Sequence, residues 1–250
     1  MMDKVSIIMP MHNAECFVDE AIRSVLAQSY ANWELFVIDD CSTDRSTALV
    51  QKYVQKDSRV HLLTTKRSSG MPCTPRNEGI RQATGRFIAF LDSDDAWLPK
   101  KLEEQLPLFE HPDTAIVYGN YEKMAENGER KGRIFTAPKQ TTYTALLRGN
   151  VIGNLTGIYD TAKVGKKYFR ELHHEDYVLW LSILKQGYVA RNTNTVVGLY
   201  RVRSQSVSSR KLTVLPWQWN IYVNIEKTGY PKALFYYVCY AYKAFRKRLI

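Results

Sequence analysis

The sequence predicts an α/β chain with a largely parallel, Rossmann-like sheet, helices on both of its faces, and further helices at the C-terminal end. Three observations predict it. Short apolar, β-rich runs alternate with stretches of helical spacing through the first hundred residues. Polar residues stand directly after three of these runs, at 10–13, 39–40 and 92–95, so one rim of the sheet, outside the carboxyl ends of its strands, should collect them. Finally, residues 87–91 are apolar at five consecutive positions, as suits a strand buried on both faces.

Residues 5–9 are the first strand, closed by Pro10. Asn13 is placed to cap a helix on which Phe17, Ala21, Val25 and Leu26 share one side, with Asp19, Glu20 and Arg23 away from it. Residues 33–38 form the second strand and end in Asp39-Asp40; the CSTDRS turn then leads into a helix over 47–54. Residues 60–64 are a third strand. After a loop with Gly70, Pro72 and Pro75, residues 77–83 read as a short helix closed by Gly85. The strand into Asp92 follows, then a helix after Pro99. In the second half, 115–118 is a strand, Asn127-Gly128 signals a two-residue hairpin turn, 141–147 is a short helix, and 149–159 crosses back into the sheet. A last helix opens at Glu175-Asp176, lines one face with Tyr177, Leu181 and Leu184, and ends at Gly187.

At 250 residues, 45% hydrophobic and 24% charged, the chain is long enough for one large domain or for one domain with an appended piece. The first ten residues lack a secretory-signal pattern. Cys16, Cys41, Cys73 and Cys239 are scattered, with no C-x-x-C spacing, so neither a zinc site nor a disulfide framework is indicated and a reducing cytosol is expected. The net charge of +10 is uneven: residues 201–250 carry ten Lys or Arg against Glu226, and the first 200 residues are left with +1. Within that tail, residues 233–242 are ten uncharged positions, too few to span a bilayer, followed by Lys243, Arg246, Lys247 and Arg248. Two readings stand: a helix on an anionic membrane surface, or a helix packed on the domain with a solvated basic end.

Asp92, Asp94 and Asp95 put three carboxylates into four positions. They repel and raise one another's pKa, and a divalent cation is the simplest way to keep them ionised together. Oxygen-only ligands suit Mg2+ or Mn2+, which commonly takes one or two carboxylates and fills its other positions with water and substrate phosphates. A metal–diphosphate site is one reading; a turn in which Ser93 and Asp94 cap the helix after Pro99 is the other. No G-x-G-x-x-G or Walker-type loop is present, which counts against dinucleotide and P-loop enzymes.

The ordered blocks VSIIMPMHNAE, LFVIDDCSTDRS and TPRNEGIRQATGRFIAFLDSDDAW resemble the nucleotide-binding half of the family 2 inverting glycosyltransferases, which have the GT-A fold. The resemblance implies a catalytic domain over 1–210, with a nucleotide-sugar half (1–98) and an acceptor half (99–210), and a basic aromatic helical tail over 211–250. It implies that Pro10, His12, Asn13 and Glu15 shape the pocket for the donor's base and ribose, and that Asp39 meets the uracil or its ribose with Asp40 in support. Lys66, Arg76 and Asn77 would line the donor pocket. Asp92-Ser93-Asp94 matches the family's D-x-D, in which the first carboxylate faces the ribose and Asp94 holds Mn2+ or Mg2+ on the diphosphate. Glu175-Asp176 matches the E-D pair, whose second acid is the catalytic base, and a helix N-terminus would keep Asp176 ionised. The run from Tyr200 to Ser208 resembles the Y-R segment that ends many catalytic domains. Arg203 stands there where a His is often found; it would bind the diphosphate but cannot ligate a metal. His12 where Tyr is common and Pro75 where a small residue is common are further departures.

The activity so implied is metal-dependent, inverting transfer of one sugar, from a UDP-hexose or UDP-N-acetylhexosamine to a glycan acceptor, lipid-linked as in O-antigen, lipopolysaccharide or capsule synthesis. The place would be the cytoplasm, peripheral on the inner face of the plasma membrane. The missing Q-x-x-R-W signature and the lack of long apolar spans point to single transfers, and basicity confined to the tail points away from nucleic acid. Other classes stay open: a nucleotidyltransferase, which normally has a Gly-rich loop after its first strand, or a non-catalytic sugar-nucleotide or nucleic-acid binding module. Each residue also has a structural reading, with Asn13 as N-cap, Asp44 in a first helical turn, Arg76 as a surface cation, and Glu175 and Asp176 as complements to a helix dipole. His173 and His174 read as loop residues near the acceptor pocket, not as zinc ligands.

Overall fold

The computed structural model describes the backbone of residues 3–203 and 214–249, with side chains over 3–203 and 215–242. Ser204 to Ser208 of the Y-R segment lie outside the described residues, as does the 210/211 domain boundary.

The sheet begins with four parallel strands in the order β3 (Val60–Thr64), β2 (Trp33–Asp39), β1 (Val5–Met11) and β4 (Phe87–Phe90). Their connections are α1 (Val18–Leu26), α2 (Ser46–Val54) and α3 (Cys73–Gln82). Side chains alternate across the sheet. Val5, Ile7 and Met9 meet Val18, Ile22 and Val25 of α1 on one face; Ile8, Ile38 and Phe90 meet Cys73 and Ile80 of α3 on the other. Both faces are therefore covered, which is why β4 reads as a continuous apolar run and β1 and β2 as nearly so, their buried Ser6 and Glu34 being paired with each other at 2.5 Å. Because the four strands are parallel, the residues after each of them open onto one rim.

After β4 come β5 (Ala96–Trp97), α4 (Lys101–Gln105), the eleven-residue β6 (Thr114–Met124), β7 (Arg130–Phe135), β8 (Gln140–Thr141), α5 (Tyr143–Leu146), β9 (Ile158–Asp160), α6 (Thr161–Val164), α7 (Glu175–Leu184) and β10 (Val189–Arg201). β9 runs antiparallel between β4 and β6, while β6 and β10 pair in parallel, so β6 and β10 also end at the rim where β4 ends. Among the described residues two C-terminal helices follow: α8 (Val214–Asn220), continued by a π-helical turn over Ile221–Ile225, and α9 (Tyr230–Leu249). Ile221, Tyr222 and Ala233 join the same core as α7, and the Tyr222 hydroxyl donates to the Leu147 carbonyl at 2.6 Å.

Several local expectations are corrected. Asn13 does not cap α1, which starts at Val18 behind Phe17; the core side of that helix is Val18, Ala21, Ile22 and Val25, one residue round from the expected stripe. The third helix starts at Cys73 instead of Asn77, because Pro72 and Pro75 fall before and within its first turn, where no intrahelical N–H bond is required of them. The hairpin between β6 and β7 turns on Glu126-Asn127, with Gly128 following at φ +87°: the Gly128 N–H donates to the Ala125 carbonyl at 3.0 Å, a type I turn followed by a left-handed glycine. Neither Ser93 nor Asp94 caps α4, which follows Lys100. α7 is apolar nearly all round, because the sheet covers one side of it and the C-terminal helices the other.

Gly85 does not close α3, whose C-cap is Ala83. It allows the chain to pass close to β1: a Cβ at Gly85 would stand 2.6 Å from the Lys4 carbonyl oxygen and 2.8 Å from the Ser6 nitrogen. Backbone atoms in a paired strand cannot yield as a flexible side chain would. Gly85→Ala is expected to destabilise the protein by about 1–3 kcal/mol in urea denaturation; an unchanged midpoint would show that the approach is not tight.

Candidate active site

The first pole of the rim is built from the loops after β1, β2 and β3. Pro10 is the penultimate residue of β1, paired in register with Ile38. His12 Nδ1 donates to the Asp40 carbonyl at 2.9 Å. Asn13, at φ +47°, ties the β1 loop to the β2 loop: its N–H donates to Ser42 Oγ at 2.9 Å, and its Oδ1 accepts from the Thr43 N–H at 2.8 Å. Glu15 Oε2 accepts from the Arg45 N–H and Nε. Asp39 is buried and closes its own turn, accepting from the Ser42 N–H at 3.1 Å and from the Thr47 hydroxyl at 3.2 Å. Asp40 is buried too and holds the next loop, accepting from the Thr65 hydroxyl, the Ser69 N–H and the Ser69 hydroxyl. Burial works against its charge, yet these bonds outweigh burial and keep its carboxyl below the usual range. Lys66 stands exposed in that loop.

The second pole is the turn after β4. Asp92 is one-third exposed and accepts from Arg76. Asp94 Oδ2 lies 3.5 Å from Arg203, a long contact that leaves the carboxylate available at the rim. Burial and the neighbouring Asp92 raise the Asp94 carboxyl above its ordinary range, and Arg203 offsets this only in part. Asp95 is fully enclosed; burial, Asp92 and Asp94 push it well up, against the Arg201 N–H bond at 2.8 Å. Ser93 sits half-buried between them.

Arg201, which lies in the Y-R segment and was given no role from the sequence, organises this turn. Its Nε donates to the Asp94 carbonyl at 2.7 Å, and the rest of its guanidinium reaches the Ala125 and Glu126 carbonyls and Glu20. Its signal in the sequence was its place in the Y-R segment.

The third pole is the start of α7. Glu175 Oε1 accepts from Arg76 at 2.6 Å, so one buried guanidinium joins Asp92 to Glu175 across 83 positions of sequence. Burial opposes the charge on Arg76, and the two carboxylates overcome it and raise its pKa. The surface-cation reading of Arg76 fails on this geometry. Asn77 faces elsewhere: its amide exchanges two hydrogen bonds with the Phe169 backbone, at 2.9 and 2.7 Å, which fixes the segment leading to α7.

Asp176 is half-buried, and its Oδ2 accepts from Asn150 at 3.2 Å, a partner that spacing could not reveal. The helix N-terminus does not hold this carboxyl low. Burial, with the Glu175 charge beside it, pushes it up to about 7, and the Tyr177 N–H opposes only weakly. Just before it, His173 stacks on Trp217 of α8 with centroids 3.7 Å apart. His174 caps α7 at φ +60°, and burial lowers its pKa. Among the described residues, no group of three His, Cys, Asp or Glu is placed to cage a metal.

The structure thus gathers Asp92, Asp94, Arg76, Glu175, Asp176 and Arg203 on one rim, with the loops of Asn13, Asp39 and Asp40 beside them. A single outward carboxylate with diphosphate oxygens is an ordinary arrangement for a hard divalent ion, and the raised pKa of Asp94 marks negative charge that the protein leaves under-compensated.

The chain is similar to known proteins over most of its length. Residues 6–172 match the family described as Glycosyl transferase family 2. The chain is 42% identical over 235 residues to Escherichia coli WfgD, a UDP-Glc:alpha-D-GlcNAc-diphosphoundecaprenol beta-1,3-glucosyltransferase, covering 94% of this chain and 90% of that one. It is 36% identical over 246 residues to Bacillus subtilis TuaG, a putative teichuronic acid biosynthesis glycosyltransferase, covering 98% and 97%. The mannosyltransferase PcManGT of Pyrobaculum calidifontis, solved with GDP-Man and Mn2+, superposes with a TM-score of 0.71 at 17% identity, over 97% of this chain and 70% of that one, and shares its fold, the GT-A arrangement.

Proposed function

The chain belongs to glycosyl transferase family 2, and from that premise we propose that it transfers one sugar, with inversion, from a UDP-sugar to a lipid-linked glycan in surface-polysaccharide synthesis. The observation that carries this reading is the Arg76 bridge, which sets the Asp92–Asp94 turn and the half-buried Asp176 on one rim. UDP-glucose is the first donor to consider and a diphosphoundecaprenol-linked sugar the first acceptor, since the WfgD name specifies both. Such an acceptor puts the enzyme to work in the cytoplasm, peripheral to the inner face of the plasma membrane.

In this reading the loops of Pro10, His12, Asn13, Glu15, Asp39, Asp40 and Lys66 receive the nucleoside, and Asp92 faces the ribose. Asp94 would hold Mn2+ or Mg2+ against the diphosphate, where the ion's charge offsets the charge building on departing UDP. Arg203, beside Asp94, donates to the same diphosphate. Asp176 takes the proton of the attacking acceptor hydroxyl, while Asn150 orients its carboxylate. The acceptor O–C1 bond forms opposite the C1–O bond to phosphate, which breaks with its electron pair leaving on UDP. A carboxyl at about 7 is matched to this task at neutral pH: ionised often enough to accept a proton, and basic enough to gain by it.

UDP release from a panel of UDP-sugars with Mn2+ or Mg2+, with and without a diphosphate-lipid sugar, tests the reading. One donor should be consumed slowly alone and much faster with acceptor, and Asp94→Ala should slow acceptor-dependent release by about 10²–10³-fold. Pyrophosphate in place of UDP would indicate a nucleotidyltransferase, and donor binding without turnover a binding module.

A further inference from the structure

Five of the eight large apolar side chains exposed among the described residues lie on α9. Tyr230, Leu234, Val238 and Tyr242 recur every fourth residue with Phe235 beside them, each 54–71% exposed. At roughly 100° per residue they occupy an arc of about 140°. The other side of the helix packs on the body: Ala233 is buried, Tyr236 lies 5.9 Å from the Tyr222 ring, and Tyr237 meets Trp219 edge-on at 5.5 Å. α9 is thus anchored along one side and presents an apolar ridge along the other.

Charge selects the occupant of that ridge. Lys227 and Lys232 are exposed beside it, and the Arg148 guanidinium stands 6.0 Å from the Phe235 ring. Lys243, Arg246, Lys247 and Arg248 follow in the last turns of the same helix. The sole acid of residues 201–250, Glu226, is buried and held by Lys185 and Tyr143, so it does not temper this face. A second copy of the chain would bring like charge against like, whereas an anionic surface complements it. Tyr and Phe along a basic helix suit the headgroup boundary, and no described helix is long and apolar enough to cross a membrane.

We propose that α9 lies on an anionic lipid bilayer, its Tyr230–Leu234–Phe235–Val238–Tyr242 ridge set into the headgroup boundary and its basic residues on the lipid phosphates. The proposal rests for its purpose on the lipid-linked acceptor proposed above, but its test needs neither donor nor acceptor. In sedimentation with vesicles, the full chain should bind phosphatidylcholine containing about one-third phosphatidylglycerol and bind pure phosphatidylcholine weakly, with salt reducing the difference. Leu234→Ser/Phe235→Ser/Val238→Ser should weaken anionic-vesicle binding at least about tenfold while circular dichroism and UDP release in solution stay unchanged; Tyr230→Ser/Tyr242→Ser, at the ends of the ridge, is the second variant should the first fold poorly. Binding indifferent to phosphatidylglycerol, equal binding by folded variants, or lipid-free self-association that the variants abolish would overturn it. Vesicle binding without sugar transfer would count against the catalytic reading alone.

Discussion

Asp176→Asn is expected to lower acceptor-dependent turnover by about 10²–10⁴-fold while leaving donor affinity nearly unchanged. The substitution keeps the shape of the side chain and an oxygen for Asn150 to donate to, and removes the one property the proposed reaction uses, the capacity to take a proton. Because burial and Glu175 push the wild-type carboxyl up to about 7, wild-type activity should rise with pH through that region and then level off, and this limb should vanish in the variant. Stability runs the other way. The folded-state pKa lies above the unfolded value, so the contribution of this carboxyl is fully present below about pH 4 and is lost as pH rises through about 7. At pH 8 the Asn variant should therefore be at least as stable as wild type, and thermal melts there separate lost chemistry from lost fold. Turnover within a few-fold of wild type would remove Asp176 as the base.

Arg76→Ala is expected to cost about 3 kcal/mol of stability and to raise the donor KM. The guanidinium is almost wholly buried, and its loss strands Asp92, which keeps partial access to water, and Glu175, which has little. The cost falls at the low end of the range for breaking a buried pair because Asp92 can rehydrate. Arg76→Lys restores the charge but not the fork that reaches both carboxylates, so it should recover stability only in part. Adding Glu175→Gln to Arg76→Ala should regain roughly 1 kcal/mol by removing one stranded charge. Equal stabilities for Arg76→Ala and wild type in urea titrations would mean that the bridge does not join the two halves.

The sequence by itself determined the layered fold and the list of rim residues. Strands covered on both faces are mostly apolar, and in a parallel sheet the polar residues after each strand must share a rim; both properties are local, and both were visible in residues 5–9, 33–40 and 87–95. Residue chemistry also exposed the carboxylate cluster at Asp92, Asp94 and Asp95, while the Glu175-Asp176 pair was singled out by family resemblance. Roles that depend on neighbours from other segments were decided only by tertiary structure. Asn13 looked like an N-cap because Asn before a helical stripe usually is one, yet its amide joins two loops from different strands. Arg76, read either as lining the donor pocket or as a surface cation, was placed by folding between Asp92 and Glu175, and Arg201 gained its place only when β10 ended beside the carboxylate turn. Asp176 shows the same division. Position at a helix start argued for a low pKa, but the electrostatics of a carboxyl are set by its surroundings in the fold, and here burial, Glu175 and Asp92 raise it against Arg76, with Asn150 as hydrogen-bond partner from another segment.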